Sequence, residues 1–250
     1  ALQERRFRVV LARAWQVPFY DRRWRAVGLE PGDICGLDDI EKLPPFSKSD
    51  LMASVEAYPP WGDYHGVDLA AGAAKPSIVF HTTSGTTGTP QPIFYGAHDR
   101  ELQNVMLARA YGLHGLRDDD IVQSVYGFGM VNGGHYIRET ILHFTKAMLL
   151  TTGTGLETRS EQQIDMMRRF GVTVLVGFAD YIKRLAEVAA ERGIEPGRDI
   201  RLRLISGHLG KENRDALEAL WGGAKAFDWY GVGDTGTICA EGPDRDGLYV

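Results

Sequence analysis

The spacing of apolar residues changes near residue 76. Before that point it is helical. Phe7, Val10, Leu11, Ala14 and Trp15 fall on one face of a helix, with arginines between them. Residues 1–75 are therefore expected to form a helical entry region punctuated by prolines. Ser47, with Asp50 three residues on, predicts a capping box at the start of a short helix. After the loop "AAGAAKP", short apolar runs alternate with stretches of helical spacing.

Strands are expected over 77–82, 121–126, 146–152, 172–177, 200–206 and 225–231, with another beginning at 247. Helices are expected over 99–113, 135–144, 179–192 and 211–221. One more is expected to start at a Ser160–Gln163 capping box and to close at Gly171. Strands alternating with helices of about ten to fifteen residues imply an α/β fold, a parallel sheet flanked by helices on both faces. Residues 76–250 are expected to form this core. Ligands of such sheets sit beyond the carboxyl ends of the strands. The loops after 77–82 and after 225–231 are the first suspects.

Composition narrows the function classes. With 250 residues the chain can form one large domain or two small ones. The net charge is −5 and no basic run occurs, which argues against nucleic acid or an anionic membrane as main partner. The apolar runs are too short to span a bilayer. Cys35 and Cys239 lie far apart without a CxxC pair. That fits a reducing cytoplasm and offers neither a disulfide nor a zinc framework. The arginine-interrupted first helix is no signal peptide, and a start without Met reads as trimmed.

Three stretches carry candidate chemistry. "TTSGTTGTP" supplies glycines for close backbone approach and hydroxyls from Thr83, Ser84, Thr86 and Thr87, the makings of an anion nest around Gly85 and Gly88. It is not a Walker A loop, because the glycine spacing is wrong and Thr89 follows Gly88 where a lysine is expected. Locally, a phosphate loop and a Pro-capped turn are equally good readings. "AFDWYGVGDTG" offers Asp228 to an exocyclic amine, Tyr230 to a base face and Asp234 to Mg²⁺. Alone, it reads better as an edge strand followed by a Gly-rich turn with a solvated Asp. "YGFGMVNGGHY" offers Tyr126, Phe128 and Tyr136 as pocket walls, or simply as core. His135 and His208 draw notice only because they lie in Gly-rich stretches.

Taken in order, these motifs resemble the phenylacetate–coenzyme A ligase branch of the adenylate-forming enzymes. "VPFYDRRWRAVGLEPGDICGLDDIEKLPPFSKSDL" resembles the family's helical entry, "TTSGTTGTP" its phosphate loop, "DDDIVQSVYGFGMVNGGHY" its acid pocket and "FDWYGVGDTGTICAEG" its adenine- and Mg²⁺-binding segment. The resemblance implies ATP, Mg²⁺ and coenzyme A as cofactors and a small carboxylic acid, aromatic or similar, as substrate. It implies phosphate contacts from Thr83 through Gly88, and nucleotide contacts from Ser206, Gly207, Asp228, Tyr230 and Gly231. Asp234 would bind the metal, with Thr235 and His208 beside the reacting groups. Tyr126, Phe128, Tyr136 and Phe178 would shape the acid pocket. A homodimer is implied by the same likeness.

The departures are specific. Thr89 replaces the loop lysine, Asp234 replaces a glutamate, Gly233 stands where a hydroxyl is usual, and "SGHLG" replaces a Gly-Ala-Glu-Pro-like stretch. The family's ribose-binding Asp, hinge and C-terminal lid would lie beyond Val250, so the expectation is most of an N-terminal large domain without the lid. Two alternatives stay open: an adenylating ligase with an amine or carrier-thiol acceptor, and a relative that binds nucleotide or acyl ligand without turnover.

Overall fold

A computed structural model describes residues 2–69, 77–83 and 90–250. The chain divides into two compact units, Ala1–Phe80 with Gly85–Phe94, and His81–Ser84 with Tyr95–Val250.

The first unit is largely helical. Helix α1 (Leu2–Ala14) and helix α2 (Pro18–Ala26) are followed by a 3₁₀ turn (Leu37–Lys42) and helix α3 (Lys48–Ala57). Leu11, Trp24 and Ile34 form one small core, against which Phe7, Ala14 and Trp15 pack. Val10, expected on the same face, is instead 65% exposed. Proline opens α2 because its missing N–H has no partner in a first turn anyway. The Ser47–Asp50 capping box forms as expected.

Strands β1 (Ile78–Thr82) and β2 (Pro92–Gly96) make a two-stranded sheet of their own. The loop after 77–82 therefore does not leave the main sheet, contrary to the sequence reading.

The second unit is built on seven strands: β3 (Ile121–Ser124), β4 (Met148–Thr151), β5 (Val174–Phe178), β6 (Leu204–His208), β7 (Lys225–Val232), β8 (Gly236–Glu241) and β9 (Leu248–Tyr249). Their order is β4-β3-β5-β6-β7-β8-β9. From β4 to β7 all pairs are parallel, while β7, β8 and β9 pair antiparallel. The sequence reading had only the parallel part. The short turn at 233–235 leaves no room for a crossover helix, so β8 must run back beside β7.

Both faces of the sheet are buried, which is why β5 reads as the unbroken apolar run Val174, Leu175, Val176. Side chains alternate, so each strand contributes to two cores. Val122, Val174, Val176, Leu204, Phe227 and Trp229 pack with helix α4 (Ala97–Leu113) and helix α5 (Gly133–Phe144). Leu175, Ile205 and Ala226 pack with helix α6 (Ser160–Phe170), helix α7 (Ala179–Glu191) and helix α8 (Arg214–Leu220).

The Ser160–Gln163 capping box does not form. Gln163 is fully buried, and its Nε2 donates to the carbonyls of Thr158 (2.8 Å) and Gly153 (3.1 Å). Buried carbonyls of the turn after β4 need that donor more than a helix start does. Gly171 closes α6 as expected, with φ of 67° in the left-handed region.

Candidate active site

Parallel pairing sets Gly177, Gly207 and Asp228 level on three adjacent strands, and sets Phe178 level with His208. The period of two then separates them. Phe178, His208 and Trp229 belong to the α4/α5 face of the sheet. Gly177, Gly207 and Asp228 belong to the other. Gly207 has a strict reason to be glycine, since a Cβ there would run into the carbonyl oxygen of Gly177.

On the α4/α5 face the strand ends carry an aromatic cluster. The Tyr126 hydroxyl lies 2.7 Å from His208 Nδ1. Phe178 stacks on the His208 ring at 5.0 Å, with 23° between the planes, and Trp229 lies under it at 4.1 Å. Tyr126 meets Phe178 edge-on at 4.9 Å, and Tyr136 meets Trp229 at 6.3 Å. Tyr126, Tyr136 and Trp229 are buried, whereas Phe178 is 54% exposed. Phe178 is thus the side chain of the cluster most available to a ligand. Burial drives the His208 pKa down to about 4, so its ring is neutral at pH 7. Burial also pushes the Tyr126 hydroxyl well above its ordinary range.

The opposite face is polar. Asp228 Oδ1 accepts from the Leu209 amide at 2.9 Å, fixing the turn after β6. The Asp228 amide donates to Glu241 Oε2 at 2.7 Å. Glu241, itself buried, pairs through its other oxygen with Arg214 of α8. Burial, with a contribution from the Glu241 charge, raises the Asp228 pKa above the usual carboxylate value. Tyr230, two residues along, is 51% exposed and so presents its ring to solvent. A bulge separates Tyr230 from Gly231.

Other candidates lie elsewhere in the unit. Ser206 is fully buried, with its Oγ 2.8 Å from His114 Nδ1 beneath the strand end. Asp234 and Thr235 are exposed on the turn between β7 and β8. Tyr95 anchors that turn by donating to the Gly233 carbonyl. Burial, and then the nearby Asp234 charge, hold the Tyr95 hydroxyl protonated. Phe128 packs edge-on to His135 at 5.7 Å rather than joining the Tyr126 cluster. The end of β1 meets the same loop, where the Thr82 amide donates to Met130 O at 2.9 Å. Thr83 follows directly. Ser84, Gly85, Thr86, Thr87, Gly88 and Thr89 lie outside the described residues.

Sequence reasoning missed Trp229, Glu241, Arg214 and Tyr95. Trp229 had a readable signal, since it alternates with Asp228 and Tyr230 along one strand. The other three gave none, because their roles depend on long-range pairing. Among the described residues no group of three His, Cys, Asp or Glu could hold a metal ion. Asp234 is an exposed carboxylate on the turn between β7 and β8.

The first unit holds a cavity of about 840 Å³ bordered by Arg13, Tyr58, Trp61 and His65. Asp63 at its edge is already neutralised by Arg22 at 2.6 Å. The strand ends, not this cavity, gather the convergent polar groups.

No protein-family model matches the chain. Over 226 residues it is 30% identical to the phenylacetate–coenzyme A ligase of Pseudomonas putida, covering 87% of this chain and 47% of that protein. It is 27% identical over 197 residues to the phenylacetate–coenzyme A ligase of Thermus thermophilus, covering 78% of this chain and 41% of that protein. Among solved structures, 2-hydroxyisobutyryl-CoA ligase in an open conformation with 2-HIB-AMP and CoA superposes with a TM-score of 0.85 at 25% identity. That match covers 97% of this chain and 52% of the other. The chain spans about half the length of the curated relatives it matches. The fold is that of the N-terminal domain of acyl-CoA ligases. The chain belongs to the adenylate-forming superfamily, and its sequence relatives lie in the phenylacetate–coenzyme A ligase branch.

Proposed function

We propose that this chain is the nucleotide- and acid-binding part of an AMP-forming acid–thiol ligase. In the first step an oxygen of the substrate carboxylate attacks the α-phosphorus of ATP, and the bond to pyrophosphate breaks. The product is a mixed acyl–phosphate anhydride. In the second step a thiol, that of coenzyme A, attacks the acyl carbon and AMP leaves with the bonding electrons. Activation is needed because a carboxylate has only a poor leaving group, while AMP is a good one.

Such chemistry asks a protein chiefly for positioning and charge compensation. Asp228, whose carboxylate is held by the Leu209 amide and whose own amide is held by Glu241, would accept a hydrogen bond from an exocyclic amine such as adenine's. Gly207, level with Asp228, has no room for a side chain and offers only backbone beside it. Exposed Tyr230 supplies a ring to stack on it. Asp234 would hold Mg²⁺ on the polyphosphate, neutralising charge there, and Thr235 is the hydroxyl nearest to replace the one missing at Gly233. Thr83 through Gly88 would cradle the phosphates. Tyr126, Phe178 and His208, with Tyr136 behind Trp229, form the acid pocket, and their rings favour an aromatic or similarly flat acid. Cytoplasmic location, with two free cysteines, and a homodimer belong to the same reading.

The observation that carries it is the pairing, at the ends of the same strands, of an aromatic pocket on one face with a buttressed carboxylate on the other. ATP–pyrophosphate exchange by the full gene product, run against a panel of aryl and branched acids, tests it. Exchange that depends on one class of acid is expected. Silence with every acid, beside an active control ligase, would overturn it.

A further inference from the structure

The Tyr126–His208 pair has a direction that can be derived from hydrogen-bond accounting. Tyr126 is buried, and among the described residues its hydroxyl meets only His208 Nδ1, at 2.7 Å. If Nδ1 carried the imidazole proton and donated to the phenol oxygen, the phenol's own hydrogen would be left buried without an acceptor. An orphaned buried donor costs roughly 1–3 kcal/mol. If the phenol donates to Nδ1, nothing is orphaned. The neutral ring then carries its one hydrogen on Nε2. His208 is only half-buried, and its Nε2 is neither a partnerless buried atom nor engaged in any hydrogen bond among the described residues.

Phe178 and Trp229 fix the plane of this ring from two sides, at 5.0 and 4.1 Å. The result is a single N–H, aimed in a set direction, in otherwise aromatic surroundings. Two features make it a recognition group. It is neutral, so it does not compete for the phosphates as a cation would. It cannot rotate without losing the Tyr126 bond.

We propose that His208, set in the Nε2–H form by Tyr126, is a specificity-determining donor that takes an acceptor oxygen of the acid substrate. This rests on the ligase reading above. The oxygen has two sources: the reacting carboxyl group, or a hydroxyl or carbonyl on the acyl chain. The shared chemistry is one neutral N–H to one oxygen lone pair.

The test has two arms. In the first, ¹⁵N-labelled protein is examined by long-range ¹H–¹⁵N correlation at pH 7, with His208 assigned through His208→Gln. A ring in the Nε2–H form is expected, and Tyr126→Phe, which is isosteric, should shift the population toward Nδ1–H. A His208 found as Nδ1–H or as imidazolium would overturn the proposal. This arm needs no turnover, so it stands or falls apart from the ligase reading. In the second arm, ATP–pyrophosphate exchange by the full gene product is compared for oxygenated acids and their deoxy counterparts. His208→Leu and Tyr126→Phe should raise KM for the acid roughly tenfold, the worth of about one hydrogen bond, with KM for ATP unchanged. A loss equal for both sets assigns the carboxyl oxygen, and a loss confined to oxygenated acids assigns the chain oxygen. Unchanged KM for every acid, or equal losses for acid and ATP, would overturn the proposal.

Discussion

The two faces of the sheet's carboxyl edge are made by the same strands and end up opposite in character. On the α4/α5 face, Phe178, His208 and Trp229 fill the space with rings. One residue back along β5 and β6, Gly177 and Gly207 are buried on the other face with no room for a side chain, and Asp228 stands level with them. Alternation along a strand lets neighbouring positions serve two ligand parts of unlike chemistry without either compromising the other. An aromatic wall suits an acyl group. A close-packed glycine backbone with one carboxylate beside it suits a flat base.

The strongest way to break that contrast is to empty the filled face. Trp229→Ala removes a buried ring that supports His208 and Tyr136. It should destabilise the unit by about 3–5 kcal/mol. The expected readout is a lower urea midpoint at constant m-value. A midpoint unchanged from wild type would show that the cluster is not a packed wall. The converse experiment adds a side chain to the glycine-packed face. In Gly207→Ala the new methyl collides with the backbone of Gly177, which cannot swing aside as a side chain can. A loss of about 1–3 kcal/mol is expected from overpacking, together with weakened nucleotide binding by calorimetry. An alanine variant with full stability and full affinity would mean that the close packing of the two glycines is incidental.

Much of this was legible in the sequence, for reasons that differ by element. The helix–strand alternation of the second unit could be read because each element is long enough to show its period, and because burial on both sides makes β5 an uninterrupted apolar run. The turn back into β8 was not legible, since antiparallel pairing depends on what the chain does after Gly236 rather than on β7 itself. Tyr126, Phe178 and His208 come from three separate segments, and only the register of β5 on β6 shows that Phe178 and His208 are level. Gln163 taught the reverse lesson. A local capping pattern lost to a buried demand that no local window contains. Glu241 likewise acts at a distance, through the Asp228 amide and Arg214, and composition alone would have placed it on the surface.

The smallest effect tests whether the filled face is as dry as its rings suggest. His208 has a folded-state pKa near 4, depressed by burial, against about 6.5 in an unfolded chain. Above pH 6.5 neither state binds the proton, so the group costs nothing. As the pH falls below 6.5 the unfolded chain takes up a proton that the folded chain refuses. Stability therefore drops with acidification until the folded ring also protonates near pH 4. The slope for one such group is about 1.4 kcal/mol per pH unit. His114, buried below Ser206 with its pKa also near 4, and His65 and His81, likewise lowered by burial, add protons to the slope of both proteins alike. In His208→Gln only the His208 contribution is removed. Urea titrations of both proteins at pH 7 and pH 5.5 should show wild type losing about 1.4 kcal/mol more than the variant over that interval. Parallel losses would mean that water reaches His208 freely, and the difference between the two faces would then be one of shape and not of solvation.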